Sequence, residues 1–230
     1  MRKGCGSMKL RGDILLEFVK RTDSRYQEIR NKHYVENKGT HGQQLHFLIW
    51  HRGNLVGIIS GASSVYAVAS RDRFFNIPKD RKQRQSLYLP AIINNTVFRL
   101  EHHAPNLATQ SMRRFREVSA TLWEELYGVP VIGFETFVVE TEWRKGTLYK
   151  ADNWTLVGRT SGSTKSHKGL KAKSQRQDTI PKLVYCRWVK QKEVIPTTEY
   201  ISSWRGETEE EKQRAKKIAS LKKEWLGRMF

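Results

Sequence analysis

The feature that most restricts how this chain can fold is an amphipathic helix pattern that runs straight into an apolar strand pattern. From Pro105-Asn106 onward, Leu107, Phe115, Val118, Leu122 and Leu126 recur at i, i+3 and i+4 spacing, and Gly128 with Pro130 ends the run. Val131 to Val139 follows as an almost unbroken apolar stretch of the kind buried in parallel sheets, expected near the centre of the sheet. An apolar helix stripe and a strand needing cover on both faces are satisfied together by an α/β layering.

The flanking segments agree with that class. Gly12 to Lys32 reads as helix in two pieces, with Ile14, Leu15, Phe18 and Val19 on one face and a break at Thr22-Asp23-Ser24. Leu45–Trp50 and Asn54–Ile59 are β-rich runs joined by His51-Arg52-Gly53, a hairpin signature. Small polar residues from Ser60 to Ser64 then lead into a long irregular stretch carrying Arg71, Arg73, Lys79, Arg81, Lys82 and Arg84. Ile92–Glu101 is a strand, Thr147–Asn153 a short helix, and Trp154–Gly158 and Leu183–Val189 two further strands. One fold with this order is the acyl-CoA N-acyltransferase (GNAT) fold, a mixed sheet flanked by helices. Residues 1–192 read as one such domain and 193–230 as a helical extension. In that extension Ile218, Leu221, Trp225 and Met229 form a stripe suited to docking on the domain or on a protein partner.

Charge restricts function more than it restricts fold. The 230 residues carry 42 Lys+Arg against 23 Asp+Glu, a formal charge of +19. Arg159 to Lys192 alone holds ten Lys/Arg and one acid, Asp178, with Tyr185 and Trp188 interleaved. Such a field attracts polyanions, and a basic stretch with aromatic support suits phosphate tracking. DNA or RNA is therefore the expected partner, double-stranded DNA the first choice once the resemblance below is added. An anionic membrane surface could use the same field, but no amphipathic helix with a bulky apolar face stands out near the start to favour it; no window approaches ~18 consecutive apolar residues, and the first twenty residues lack the apolar centre of a signal peptide. A cytoplasmic protein is expected. Cys5 and Cys186 are too far apart and too few for a zinc site of common spacing, and the side chains of Glu101-His102-His103 diverge on an extended chain, so no metal site is expected.

Several blocks, in order along the chain, resemble the DruA-like family found in Druantia anti-phage systems and beside transposases. They are His33-Tyr34, Gln43 to Leu48, Leu55-Val56-Gly57, Arg71-Asp72-Arg73, Ile93-Asn94-Asn95, Pro105 to Ala108, Glu135 to Val138, and Gly146 to Trp154 followed by Val157 to Thr160. The resemblance runs from about His33 to Val189. A fainter likeness, on His33, Tyr34, Gly146, Tyr149, Ala151, Asn153, Trp154 and Gly158, extends to the Mom-type proteins of phage, which modify adenine in DNA. That likeness implies a GNAT-like enzyme placing an acyl or carbamoylmethyl-type group on the adenine amino nitrogen, protecting DNA from restriction.

The resemblance gives the residues roles, and each has a structural alternative. Tyr149 is implied as the acid that protonates a departing thiolate, or else it packs over the sheet with its hydroxyl bonded to backbone. His33 is a base for the amine or a helix-terminal histidine favoured by the dipole, and Tyr34 stacks on or hydrogen-bonds a nucleobase. Glu135 is a second candidate base, or a salt-bridged carboxylate. Strand alternation sends Asn95 and Arg99 to one face and Asn94 to the other, and these three would orient base or donor. Asn106 and Thr109, at the start of the long helix, together with Asn153, would hold an acyl-CoA or related donor. The chain has no glycine-rich turn before that helix, which leaves a DNA phosphate, a different acyl donor or plain capping by Asn106 as alternatives. Arg71, Arg73, Arg159, Lys165, Lys168, Lys171, Lys173 and Arg176 are expected to grip the DNA backbone. Two other readings stay open: a non-catalytic DNA-binding module of a defence or transposition complex, and an acetyltransferase directed at RNA or protein.

Overall fold

The computed structural model describes residues 13–35, 42–160, 180–189 and 201–202. The chain opens with β1 (Ile14–Val19), α1 (Ser24–Asn31), β2 (Gln44–His51), β3 (Asn54–Ser63) and α2 (Ala69–Phe74). A single helical turn α3 (Arg81–Gln83) continues into a π-turn (Arg84–Tyr88), and then come β4 (Ile92–Leu100), α4 (Leu107–Tyr127), β5 (Gly133–Val139) and α5 (Thr147–Ala151). β6 (Thr155–Arg159), β7 (Lys182–Trp188) and the two-residue β8 (Ile201–Ser202) complete an eight-stranded sheet in the order β6-β7-β5-β4-β3-β2-β1-β8. The architecture is mixed α/β, a sheet flanked by helices. β5 lies in the sheet interior, parallel to β4 and antiparallel to β7. Among the described residues no helix is long and apolar enough to cross a membrane.

Both faces of the sheet are covered. On one, Met112, Phe115, Val118, Leu122 and Trp123 of α4 pack on Phe47, Ile59, Ile93 and Phe134. Phe115 is fully buried, and a side chain of that size stabilises by roughly 1.5–3 kcal/mol when removed from water. On the other face, Tyr26 and Ile29 of α1 meet Leu48, Ile58 and Val97, while Phe75, Ile77 and Leu89 meet Ile92, Val184 and Cys186.

Two segments differ from the sequence reading. The first piece of the expected helix is strand β1, paired along its whole length with β2 from Ile14↔His51 to Val19↔His46. Six mostly apolar residues fit either period, and the neighbouring hairpin edge decides between them. The second piece is helical: Asp23 caps α1, its carboxylate accepting from the Arg25 and Tyr26 amides at 3.0 and 3.4 Å. The stretch after Ser60 is not irregular either. β3 runs on to Ser63, and residues 69–74 and 81–88 are helical. The docking stripe at Ile218–Met229 lies outside the described residues.

The detail that shapes the site is a bulge. β3 pairs Gly61 with Asn95 but Ser60 with Val97, so Thr96 is an extra residue on β4. Past it the pairing of β4 with β5 stops: the last registered pair is Asn95↔Thr136, although β4 continues to Leu100 and β5 to Val139. The two halves of the sheet part there.

Candidate active site

A cleft of about 250 Å³ opens where β4 and β5 diverge. Asn95, Thr136 and Tyr149 line it together with His33 and Tyr34 from the end of α1 and with the turn Trp143 to Gly146 that leads into α5. Four of the residues singled out in the sequence, His33, Tyr34, Asn95 and Tyr149, therefore share one cavity.

Tyr149 is placed by both ends of its short helix. At the start, Gly146 takes φ +69°, and a Cβ there would meet the Tyr185 ring at 2.4 Å, so only glycine allows the close approach. The Tyr185 hydroxyl donates to the Lys145 carbonyl at 2.9 Å. At the far end the buried Asp152 accepts a bidentate pair from Arg116 of α4 at 2.8 and 2.9 Å and a third bond from Trp154 Nε1 at 2.7 Å. The Tyr149 ring lies between Tyr185, stacked at 5.7 Å, and Trp154, edge-on at 5.2 Å.

Its hydroxyl points at the place where the strands part. It donates to Asn95 Oδ1 at 2.8 Å, and Thr136 Oγ1 lies 3.3 Å away while bonding the Asn95 carbonyl at 3.0 Å. The Asn95 amide cannot turn over without loss, because its Nδ2 donates to the carbonyls of Ser60 and Val97 at 2.9 and 3.1 Å on either side of the bulge. Burial pushes the Tyr149 phenol far above its usual range, outweighing the opposite pull of Thr136. The group is a neutral, fixed O–H donor at the floor of the cleft.

The other wall is aromatic and cationic. His33 Nδ1 accepts the Val35 N–H at 3.1 Å, so the ring carries its proton on Nε2. Burial and then the Arg30 charge lower His33 to about 4, keeping it neutral. The Nδ1 lone pair of His33, the residue expected as a base for the amine or as a helix-terminal histidine, is thus engaged by the Val35 N–H. The Tyr34 ring lies tilted by 31° against His33, with centroids 4.5 Å apart, and carries the Arg144 guanidinium 3.9 Å from its centre.

The remaining candidates lie elsewhere. Glu135 and Asn94 form a registered pair with side chains on the opposite face of the sheet. There Glu135 is fully buried and bonded to Arg71 Nη1 at 2.8 Å, to Ser64 Oγ at 2.6 Å and to the Val65 N–H at 3.2 Å. Burial pushes its carboxyl up, against the pull of Arg71 and these donors. This is the arrangement of the salt-bridged carboxylate alternative for Glu135, and Arg71, expected to grip the DNA backbone, has no exposed surface here. Asn94 is buried too, with no hydrogen-bond partner for Oδ1. Arg99 does not share a face with Asn95: the Thr96 bulge reverses the alternation, and Arg99 pairs with Glu101 at 2.6 Å. Arg73 is exposed on α2, and Arg159 is exposed but bonded to Glu140.

The expected donor-holding residues are not among those lining the cleft. Asn106 adopts a left-handed conformation at φ 60° with no side-chain cap bond, and its carbonyl accepts from Thr109 Oγ1 at 3.0 Å. Asn153 is left-handed too, at φ 59°, and its carbonyl accepts from Arg187 at 3.1 Å. Lys165, Lys168, Lys171, Lys173 and Arg176 lie outside the described residues. Sequence reading assigned no role to Thr136 and Asp152, which lie inside the Glu135 to Val138 and Gly146 to Trp154 blocks, nor to Trp143 and Arg144. The dipeptide Trp143-Arg144 in an otherwise polar turn was the visible signal for the last two.

A sequence model of the family described as "Druantia protein DruA" matches residues 13–190. Among the curated proteins no sequence match is found. Similar solved structures include a spermidine N-acetyltransferase SpeG mutant from Vibrio cholerae, 11% identical, covering 76% of this chain and 94% of that one at a TM-score of 0.46. An acetyltransferase that modifies the N-terminal serine of ribosomal protein L7/L12 from Salmonella typhimurium is 12% identical, with 65% and 66% covered at 0.38. The aminoglycoside acetyltransferase AAC(6')-Ib in complex with coenzyme A is 12% identical, with 78% and 96% covered at 0.46.

Proposed function

Because this chain belongs to the Druantia protein DruA family, we propose that it is a DNA-directed group transferase whose cleft at the β4/β5 split moves an acyl-type group onto the amino nitrogen of adenine. The observation that carries the reading is the neutral Tyr149 hydroxyl held at the floor of that cleft by Asn95 and Thr136. The adenine target rests on the likeness to Mom-type proteins, and the polyanion on the charge of +19.

A coenzyme A-type thioester, if held here, would supply the acyl group: the amine nitrogen would take the carbonyl carbon as the C–S bond gives way, the sulfur leaving with coenzyme A. The fit of this chain to such a donor is partial. Beyond Asn95↔Thr136 the facing edges of β4 and β5 have no strand partner in each other, and their backbone groups suit an extended amide chain. The start of α4, with no glycine-rich turn and a left-handed Asn106, offers no comparable fit to a pyrophosphate.

Tyr149 Oη is a hydrogen-bond donor fixed where a departing sulfur would gain charge, and its raised pKa keeps it protonated there and unable to compete as a nucleophile. Asn95 Oδ1 and Thr136 keep that hydroxyl in place before transfer. His33 Nε2–H donates toward the cleft, where it can steady an oxygen that gains negative charge. The amine's proton leaves to water at the open mouth, and the departing sulfur would take its proton from solvent.

The test is mass spectrometry of nucleosides from DNA of cells expressing the chain. A deoxyadenosine of increased mass is expected. An unchanged nucleoside profile together with tight, salt-sensitive DNA binding would favour instead a binding module that kept the fold, a reading to which the missing glycine-rich turn gives independent support.

A further inference from the structure

At the mouth of the cleft stands a side chain that packs into no core cluster among the described residues. Trp143 is 91% exposed, more than any other large apolar side chain among the described residues. An indole left in water forfeits the stabilisation it would gain in a core. It is nevertheless held at a defined place. Thr141 and Arg144 close the turn around it with reciprocal backbone bonds of 3.2 Å, and the Thr141 hydroxyl accepts the Arg144 N–H at 3.0 Å. The next two residues are pinned as well, Arg144 by its stack on Tyr34 at 3.9 Å and the Lys145 carbonyl by Tyr185 at 2.9 Å.

The ring of Tyr34, the sequence candidate for stacking on a base, is already occupied by Arg144 and His33. Among the described residues lining the cleft, the most exposed aromatic ring is Trp143, 91% exposed against 46% for Tyr34. Two cations, Arg144 and Lys145, follow it directly, with Glu142 as the adjacent opposing charge. A flat ring beside cations, in a chain of charge +19, matches a ligand that joins a planar base to a phosphate. One isolated indole in a charged turn does not suit an apolar surface.

We propose that the Trp143-Arg144-Lys145 turn is a nucleotide-docking platform, on which Trp143 stacks an unpaired base while the cations hold its phosphate, delivering single-stranded or flipped nucleotides to the Tyr149 cleft. This deepens the DNA-directed reading and rests on it for the identity of the polyanion. Its content is separate: it assigns recognition of unpaired bases to one exposed side chain.

Fluorescence anisotropy with an end-labelled oligodeoxynucleotide, single-stranded and as its duplex, and with polyglutamate, tests it on the full chain at two salt concentrations. Trp143→Ala should weaken single-strand binding by roughly 5- to 150-fold, the span for one stacked base, and Trp143→Phe should recover most of it. The salt dependence should stay as in the wild type, whereas Lys145→Gln should lower its slope by about 1. Since Trp143 supports no core contact, its variants should melt with the wild type. The proposal is overturned if Trp143→Ala binds the single strand within twofold of wild type, if it weakens duplex or polyglutamate binding to the same extent, or if the wild type does not bind the single strand. An altered deoxyadenosine that persists undiminished in Trp143→Ala cells would sink the platform and leave the transferase reading standing. Loss of single-strand binding with no altered nucleoside in wild-type cells would do the reverse.

Discussion

Replacing Arg71 with methionine removes the cation from the most deeply buried ion pair among the described residues. Both side chains of the pair are fully buried, with Arg71 Nη1 2.8 Å from Glu135 Oε2. The same guanidinium donates to Asp72 at 2.7 Å and to the Val65 carbonyl at 2.7 Å, fastening the segment after β3 to the sheet. Asp72 keeps a second partner in Arg84 at 2.7 Å, whereas Glu135 keeps only the Ser64 hydroxyl and the Val65 N–H. Breaking a buried pair from one side costs about 3–5 kcal/mol, because the remaining charge stays desolvated. For a chain of this size each kcal/mol moves the midpoint by about 2–4 °C, so Arg71→Met should melt roughly 6–20 °C below wild type when followed by circular dichroism. Removing both charges, as Arg71→Met with Glu135→Leu, should recover much of that loss, since an apolar pair of similar volume carries no stranded ion. A midpoint for Arg71→Met within about 2 °C of wild type, or a double variant no better than the single, would refute the reasoning and return Glu135 to the list of functional carboxylates.

Other consequences follow from the same geometry. Asn95→Asp places a carboxylate oxygen against the carbonyls of Ser60 and Val97, which lose their donor, and should cost about 1–3 kcal/mol in urea unfolding while abolishing activity. His46 is buried, contacts Tyr26 and Ser60 at 3.2 and 3.0 Å, and is lowered by burial to about 4. The unfolded chain then binds the proton more readily, so this group's contribution, about 3 kcal/mol, is complete above the ordinary histidine value near 6.5 and is lost as pH falls from there toward 4. His46→Asn should flatten the dependence of the melting midpoint on pH in that window, and an unchanged slope would contradict the assignment.

How far the sequence discloses this molecule depends on the range of the interaction involved. The α4 helix is legible because its stripe, from Leu107 to Leu126, and its stop at Gly128 are local; Gly128 indeed takes φ +65°. The hairpin of β2 and β3 and the Gly146 to Trp154 block are legible for the same reason. β1 is not, since Ile14 to Val19 is too short to show a period and becomes a strand through the edge that β2 offers. The bulge at Thr96 leaves no mark in composition, yet it separates Arg99 from Asn95 and opens the cleft. Arg71 looks like a surface cation in a basic stretch, and only a carboxylate 64 positions away explains its burial. Tyr149 and Asn95 are each visible as candidates, but their 2.8 Å bond joins residues 54 apart and belongs to tertiary structure.

The central claim, that group transfer occurs at the Tyr149 hydroxyl where β4 and β5 part, is tested most directly by quantifying modified deoxyadenosine in cells expressing wild type or Tyr149→Phe at matched levels of folded protein. The account predicts that the variant stays folded, its ring still packed between Tyr185 and Trp154 while Asn95 Oδ1 loses a donor at a cost of about 1–3 kcal/mol, and yields roughly 10²- to 10³-fold less product, the usual worth of one donor aimed at developing charge. Undiminished product from the variant would contradict it.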